Sequence, residues 1–519
     1  MCSYRTSATK LALALAVILF IPLLVQAAAD LPNGLLTIGS RGPEVQTLQK
    51  ALNVLGYDLV EDGIYGPGTR WAVLDFQRRH DALGNDGIYG PRTRSFMMDF
   101  LKPTGDELPK DYVLEDLEED LALTFLADRQ GRAGLVAQAF VEENRHLLRV
   151  SEDQYAVEQE LATQLPELLK TDWAYNEYPM AYDYVLVTSN TLNVRQEPTT
   201  RSPIVSRLSY FDKVNVIQVV KGEYLDTYGS DHWYRVFWHT GEGVNMGFVF
   251  GALGELRSFR LPVMFEEVKT LQQVIARSRM GYVFNYRHIH GMAPAHRDRN
   301  EDAHGVSRNQ SAPGYTDLDL SDFRYFSDGM LVALLDETEA FYLVSTSSFP
   351  GEYWIPRRYI SFTHVPSALT QVVVIDDIYQ NEAVFQLVDQ QWELISYTFA
   401  TTGIQKGSYH FETPKGHFMA IEKRPFFWYV QDGTHNTTGF APYSIRFSGG
   451  GFIHGVPVEL GEGQTPYNTS PTNPDNHREY LFTIGTTPRS HKCVRNFTSH
   501  AKFLYDWLQI GEAAFIIIE

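Results

Sequence analysis

From Tyr184 onward the apolar residues of this chain fall at every second position, and that period restricts most of the remaining length to strands. Val185 and Val187, Leu192 and Val194, Val214 and Val216 with Val219, Trp233 and Tyr234 with Val236, and Phe248 and Phe250 mark successive runs. Alternation turns one face of a strand toward a core, so short runs divided by turn residues predict a small antiparallel barrel. The same reading holds for VVVID at 372–376, AVFQLV at 383–388 and WELISYTFATTG, which ends at Gly403. A late helix over 499–509, closed by Gly511, and a last strand AAFIII complete a region that is mostly strand.

Before Tyr184 the period is helical, and the chain repeats itself. DGIYGPGTR at 62–70 returns as DGIYGPRTR at 86–94. Each copy reads as a tight turn followed by a helix start: Gly63 and Gly66 suit the turn, Pro67 suits the first helical position, and Trp71, Leu74 and Phe76 come after it at near-helical spacing. Val45, Leu48, Leu52 and Leu55 form an earlier amphipathic helix ended by Gly56. Through RGPEVQTLQKALNVLGY and DGIYGPGTRWAVLDFQ, residues 38–100 resemble the small three-helix peptidoglycan-binding domain appended to cell-wall enzymes. A helical packing domain without a ligand is the competing reading.

Residues 105–180 are acidic, with Leu114, Leu117, Leu121 and Phe125 on one stripe and Glu115, Glu118, Glu119 and Asp120 opposite, which predicts a helical spacer with a solvated face. Residues 184–256 resemble a bacterial SH3-like domain through LNVRQEP at 192–198, HWYRV at 232–236 and GFVFG at 247–251. That resemblance implies a module that binds peptidoglycan stems or packs on a catalytic domain, and the fold does not choose between them. Residues 257–367 are the least legible; MLVALLDETEAFYLVSTSS and EYWIPRRYISF read as strands and admit a second barrel of the same sort. His288, His290, His296 and His304, with Asp298 and Asp302, cluster there as metal ligands do. Their Pro-, Arg- and Asn-rich surroundings and the lack of an H-x-x-x-H helix favour an exposed loop, so no metal is assigned.

The 519 residues carry 44 basic and 63 acidic side chains, a net charge of -19 that argues against sequence-independent binding to nucleic acid. With 44% hydrophobic and 21% charged residues the composition is globular, and the length suggests roughly three or four domains. Arg5 and Lys10 precede an apolar run over 11–25 that leads into Ala27, Ala28 and Ala29, the pattern of an export signal spanning 1–29. The run is shorter than the ~20 residues a membrane span needs and Pro22 interrupts it, so no stable span is expected after cleavage. Cleavage would remove Cys2 and leave Cys493 as the sole thiol, either an inert buried group, an intermolecular bridge or a nucleophile.

Three motifs then occur in order: ETPKGHF at 412–418, SGGGFIHG at 448–455 and SHKCVRN at 490–496. With them, residues 369–519 resemble an L,D-transpeptidase catalytic domain of the YkuD type. By that resemblance Cys493 is the acyl-accepting nucleophile and His454 its base, while His491 shapes the site and the Gly455 carbonyl orients the imidazole. Ser490, Arg495 and Asn496 would line the pocket with Gly450 and Phe452, and no cofactor is implied. The chemistry is consistent: attack on an amide at neutral pH needs a thiolate, an imidazole to move its proton, and backbone N–H groups to hold the oxyanion. Glycines 449–451 allow close approach of a peptide, or form a bulge of no functional meaning.

Two features depart from the family pattern. Lys492 stands where the family has Gly, and the interval from His454 to Cys493 is long, its segment 459–479 reading as a surface loop or lid. The expected whole is a multi-domain α+β protein: a helical peptidoglycan-binding domain, one or two SH3-like β-barrels and a mostly-β catalytic domain, exported to the cell envelope. Its partners would be peptidoglycan stem peptides and glycan. L,D-transpeptidation, hydrolysis by an L,D-carboxypeptidase, and a non-catalytic wall-binding scaffold are the competing functions, and retention of both His454 and Cys493 speaks against the last.

Overall fold

The structure, a computed structural model, describes residues 31–98 and 155–519 apart from short internal stretches; the segment 1–29 and most of the acidic segment 105–180 lie outside the described residues. The chain divides into two units, Met1–Leu117 and Glu118–Glu519.

In the first unit two helices, α1 (Pro43–Val54) and α2 (Pro67–Arg78), each begin on a proline, whose fixed φ suits the first turn. The repeat has a physical basis. Gln49 accepts the Gly63 N–H at 2.9 Å and donates to the Ile64 carbonyl and the Thr69 hydroxyl, at 3.1 and 3.0 Å. Gln77 does the same one repeat later, with Gly87 N at 2.8 Å, Ile88 O at 2.9 Å and Thr93 Oγ1 at 3.1 Å. Both turns need the left-handed backbone of Gly63 and Gly87, at φ 68° and 65°. Tyr65 and Tyr89 fill the core with Val45, Leu48, Leu52, Val73 and Phe76.

The first strands described in the second unit lie where the sequence pattern suggested helix. Val157–Glu160 joins the strand Lys213–Leu225, and Lys170–Thr171 pairs in parallel with Gln391–Phe399. Pairing with distant strands, rather than local period, sets these residues. An eight-stranded sheet comes next, in which Asp183–Val187, Thr191–Arg195, Ile204–Ser209, Lys213–Leu225, Ser230–Thr240, Gly243–Phe250 and Gly254–Ser258 are joined by antiparallel pairing.

After it stands a helix that the period-two pattern did not predict, α3 (Leu261–Arg277). Its buried Leu261, Met264, Phe265, Val268, Leu271 and Ile275 recur every three or four residues, so the signal was present. Burying each such side chain contributes about 1.5–3 kcal/mol. A seven-stranded antiparallel sheet then runs from Arg279–Val283 to Ile360–Ser361. Taken in chain order, its strands are hydrogen-bonded in the sequence 3-2-6-5-4-1-7, and the seven strands from Asp183–Val187 to Gly254–Ser258 take the same order. Each set has a 3-10 turn before its last strand, Gly251–Leu253 in one and Arg357–Tyr359 in the other.

The C-terminal region holds two sheets. Gln391–Phe399, Asn381–Val388, Gln371–Asp376, Ala513–Ile518 and Gly416–Met419 form the first, and Glu422–Val430, Thr437–Ser448, Gly451–His454 and Val494–Arg495 the second, with α4 (Thr498–Trp507) against them. The barrel packs on this region: Tyr184 Oη donates to the Tyr379 carbonyl at 3.0 Å, Asn381 Nδ2 to the Ser258 carbonyl at 3.0 Å, and Arg257 Nη1 to the Thr486 carbonyl at 2.7 Å. One apolar cluster runs through Tyr184, Phe259, Phe265, Phe385 and Phe399. No helix among the described residues is long and apolar enough to cross a membrane.

Candidate active site

The strand Gly451–His454 and the short strand Val494–Arg495 pair in parallel, with Ile453 opposite Val494 and His454 opposite Arg495. This register brings Cys493 beside the glycine turn. Its Sγ lies 3.6 Å from the Gly450 carbonyl and receives the Phe452 backbone N–H. Residues 401–404 hold the motif from the other side, through Thr401 N to Arg495 O at 2.9 Å, Ser490 N to Thr402 O at 3.0 Å and Ile404 N to Ser490 O at 3.1 Å. Thr413 of the TPKGHF motif locks the turn by accepting the Gly403 N–H at 2.8 Å and donating to the Lys492 carbonyl at 3.0 Å. Ser490 donates its hydroxyl to the Cys493 carbonyl.

His454 is 2% exposed, and its Nδ1 is 2.6 Å from the Gly455 carbonyl. A carbonyl can only accept, so Nδ1 carries the proton and Nε2 keeps a lone pair. Asn496 N donates to the His454 carbonyl at 2.9 Å, and the Phe427 ring meets the imidazole edge-on at 5.3 Å while stacking on Phe452 at 4.6 Å. Burial drives the imidazole down to about 3, aided by Arg495 and opposed by the Gly455 bond. Burial likewise pushes the Cys493 thiol up to about 11, against the Phe452 N–H, Arg495 and Lys492. The resting pair is therefore a neutral thiol and a neutral imidazole at pH 7.

The other sequence-assigned residues divide. Gly450, Phe452, Gly455 and Ser490 touch Cys493 or His454 directly. Arg495 is half-buried and acts on both through its charge. His491 is half-buried within the Ser490 to Cys493 turn. Asn496 is fully buried, and its amide donates to Glu382 Oε1 at 2.6 Å. Glu382 also lies 2.8 Å from His500 Nδ1, so Asn496 ties the ladder to a buried polar cluster.

Lys492 has φ 96°, the backbone region that glycine favours. A Cβ on the facing Gly403 would fall 2.5 Å from Lys492 N, so that position accepts only glycine without movement. Thr413 comes from the ETPKGHF motif, though its contacts were not read from it; Phe427, Glu382 and Asp328 were not foreseen in the sequence, because each comes from a distant segment and its role there depends on the folded contacts. Most of the 459–479 insertion lies outside the described residues; Val458–Glu459 pairs with Thr437–Ser448, and Val458 bridges His477. Among the described residues no three His, Cys, Asp or Glu side chains are grouped as for a metal ion. Asp302 instead accepts backbone N–H groups of His304, Val306 and Tyr325.

A buried thiol just before one strand of a parallel pair and an imidazole of fixed tautomer on the other are the parts that cysteine-dependent acyl transfer uses. Residues 370–517 match the family model described as L,D-transpeptidase catalytic domain, and the C-terminal region is a catalytic domain of that type. Residues 190–254 match the bacterial SH3 domain and residues 41–97 a peptidoglycan binding domain, kinds of domain that operate at the cell envelope. Among solved structures, an L,D-transpeptidase from Mycobacterium smegmatis is 16% identical over 37% of this chain and 93% of its own, with a TM-score of 0.22. L,D-transpeptidase 3 from Mycobacterium tuberculosis, in complex with a faropenem-derived adduct, is 16% identical over 37% of this chain and 92% of its own, with a TM-score of 0.22. The SleB N-terminal domain is 32% identical over 14% of this chain and 97% of its own, with a TM-score of 0.13. None of the curated proteins matches the chain.

Proposed function

We propose that this protein is an exported peptidoglycan L,D-transpeptidase in which Cys493 is the nucleophile and His454 the base. The observation that carries the reading is the parallel pairing of Gly451–His454 with Val494–Arg495, which brings the histidine motif and the cysteine motif side by side, with Nδ1 held by Gly455. His454 Nε2 takes the Sγ proton as sulfur attacks the carbonyl carbon of the L,D-amide in a donor tetrapeptide stem. The C–S bond forms, the C–N bond breaks, and the imidazolium returns its proton to the departing D-alanine amine. An amine of a neighbouring stem then attacks the thioester, passes its proton to His454 and displaces the thiolate, which is reprotonated.

Neutral resting groups suit this order, since the proton passes from the thiol to the imidazole as the sulfur attacks. We further assign the helical repeat unit to wall binding and the sheet between Arg279–Val283 and Ile360–Ser361 to a second SH3-like barrel, on the shared strand order. Both barrels are read as supports of the catalytic domain, in keeping with the Tyr184, Ser258 and Arg257 contacts. The test is incubation of the mature protein with purified muropeptides and with a carbapenem, followed by mass analysis. Cross-linked stems and an adduct on Cys493 are expected. Shortened stems alone would make the enzyme an L,D-carboxypeptidase; no product and no adduct from the folded protein would leave a scaffold.

A further inference from the structure

Lys492 combines two unfavourable features at the residue before the nucleophile. It holds a left-handed backbone, φ 96°, that strains a residue with a Cβ, and it is only 8% exposed although it carries an ammonium group. A glycine would avoid both. Such costs persist where the surroundings fix the residue, and here they do. Lys492 Nζ donates to the Gly449 carbonyl at 2.8 Å, clasping the turn on which Sγ rests.

The charges around this clasp come from several elements. Asp328, buried at the end of Phe323–Ser327, attracts the Lys492 ammonium and binds Arg446 Nη1 at 2.6 Å. Arg446 also gives its Nε to Glu422 at 2.8 Å. On the other side stand the Cys493 thiol, Arg495, His454 and His491. Without the ammonium, a Cys493 thiolate would form with one cation fewer to balance it.

We propose that Lys492 is a positioning residue whose ammonium clasps the glycine turn and stabilises the Cys493 thiolate, with Asp328 of the seven-stranded sheet holding that ammonium in place. This rests on Cys493 being the nucleophile. Burial lowers Lys492 to about 8, against the pull of Asp328 and Cys493, so its charge is present at neutral pH and is lost above that. The thiolate is then favoured most where the lysine is still protonated.

The experiment is the rate of iodoacetamide alkylation of Cys493 between pH 6 and 10, read by peptide mass, for the full-length wild type, Lys492→Met, Lys492→Gly and Lys492→Arg, each checked for folding by circular dichroism. The glycine variant suits the local backbone and so guards against misfolding. The wild-type rate should climb to about pH 8 and then flatten as the lysine loses its proton. Lys492→Met and Lys492→Gly should both react about tenfold more slowly at pH 7, with no bend near pH 8, and Lys492→Arg should restore the pH 7 rate. Folded Lys492→Met or Lys492→Gly with the wild-type profile would overturn the proposal. A carbapenem adduct on wild-type Cys493 in that same case would leave the transpeptidase reading standing, whereas no adduct and no alkylation of the folded wild type would remove both.

Discussion

The Asp328 carboxylate binds the Arg446 guanidinium at 2.6 Å with both side chains buried, joining the seven-stranded sheet to the strand that leads into the active-site glycine turn. Breaking a buried ion pair strands a charge, which typically costs about 3–5 kcal/mol. Asp328→Ala should fall toward the low end of that range, because Glu422 still holds Arg446. Urea unfolding of the variant checks this, and a loss below about 1 kcal/mol, the scale of an exposed pair, would refute the link.

His454→Ala removes the proposed proton acceptor while keeping the ladder backbone. Turnover on muropeptides should fall by about 10²-fold or more, with substrate affinity mostly kept. Steady-state kinetics that show a raised KM and an intact kcat would take His454 out of the mechanism.

The lowered Lys492 value bears on stability. The folded state releases this proton near pH 8 and the unfolded chain near 10.5, so in that interval the unfolded state binds more protons and stability rises with pH. Cys493 acts oppositely, but only from its ordinary 9.0 up to about 11. Between pH 8 and 9 the wild type should therefore gain melting temperature relative to Lys492→Gly, as read by calorimetry; parallel curves would contradict the burial of the charge.

Gly329 has φ 87°, and a Cβ there would lie 1.8 Å from the Phe447 carbonyl oxygen. Gly329→Ala should disrupt the contact between the two sheets and sharply lower the melting temperature. Gly305, at φ 78° with nothing within 4 Å of a Cβ, is the control; alanine there should cost only about 1–2 kcal/mol. Equal effects at the two positions would mean that backbone conformation alone, and not the close approach, decides.

Deleting residues 38–100 should weaken co-sedimentation with insoluble peptidoglycan while Cys493 remains reactive. Unchanged sedimentation would remove the wall-binding role from the repeat unit.

Much of the architecture was legible because it rests on local chemistry. The turns of the DGIYG repeat need glycine wherever they occur, and an alternating run such as VVVID must present one face to a core. The α3 helix left a signal in the spacing of Leu261, Met264, Phe265 and Val268, but it was not read, because it lies between strands and the period-two pattern was carried across it. The strand Lys170–Thr171 was not legible, since its conformation comes from Gln391–Phe399, a distant part of the chain.

At the site, sequence alone determined the chemical inventory: a thiol at Cys493, a histidine after a glycine-rich stretch, and a lysine directly before the thiol. Tertiary structure decided what each group can do. Only the parallel register of His454 with Arg495 brings the histidine and cysteine motifs together, only the fold buries Asn496 against Glu382, and only the docking of the seven-stranded sheet gives Lys492 the Asp328 carboxylate. The division has a simple cause. Turn geometry and apolar period depend on neighbours along the chain, whereas burial and the partner of a buried charge depend on segments that meet only after folding.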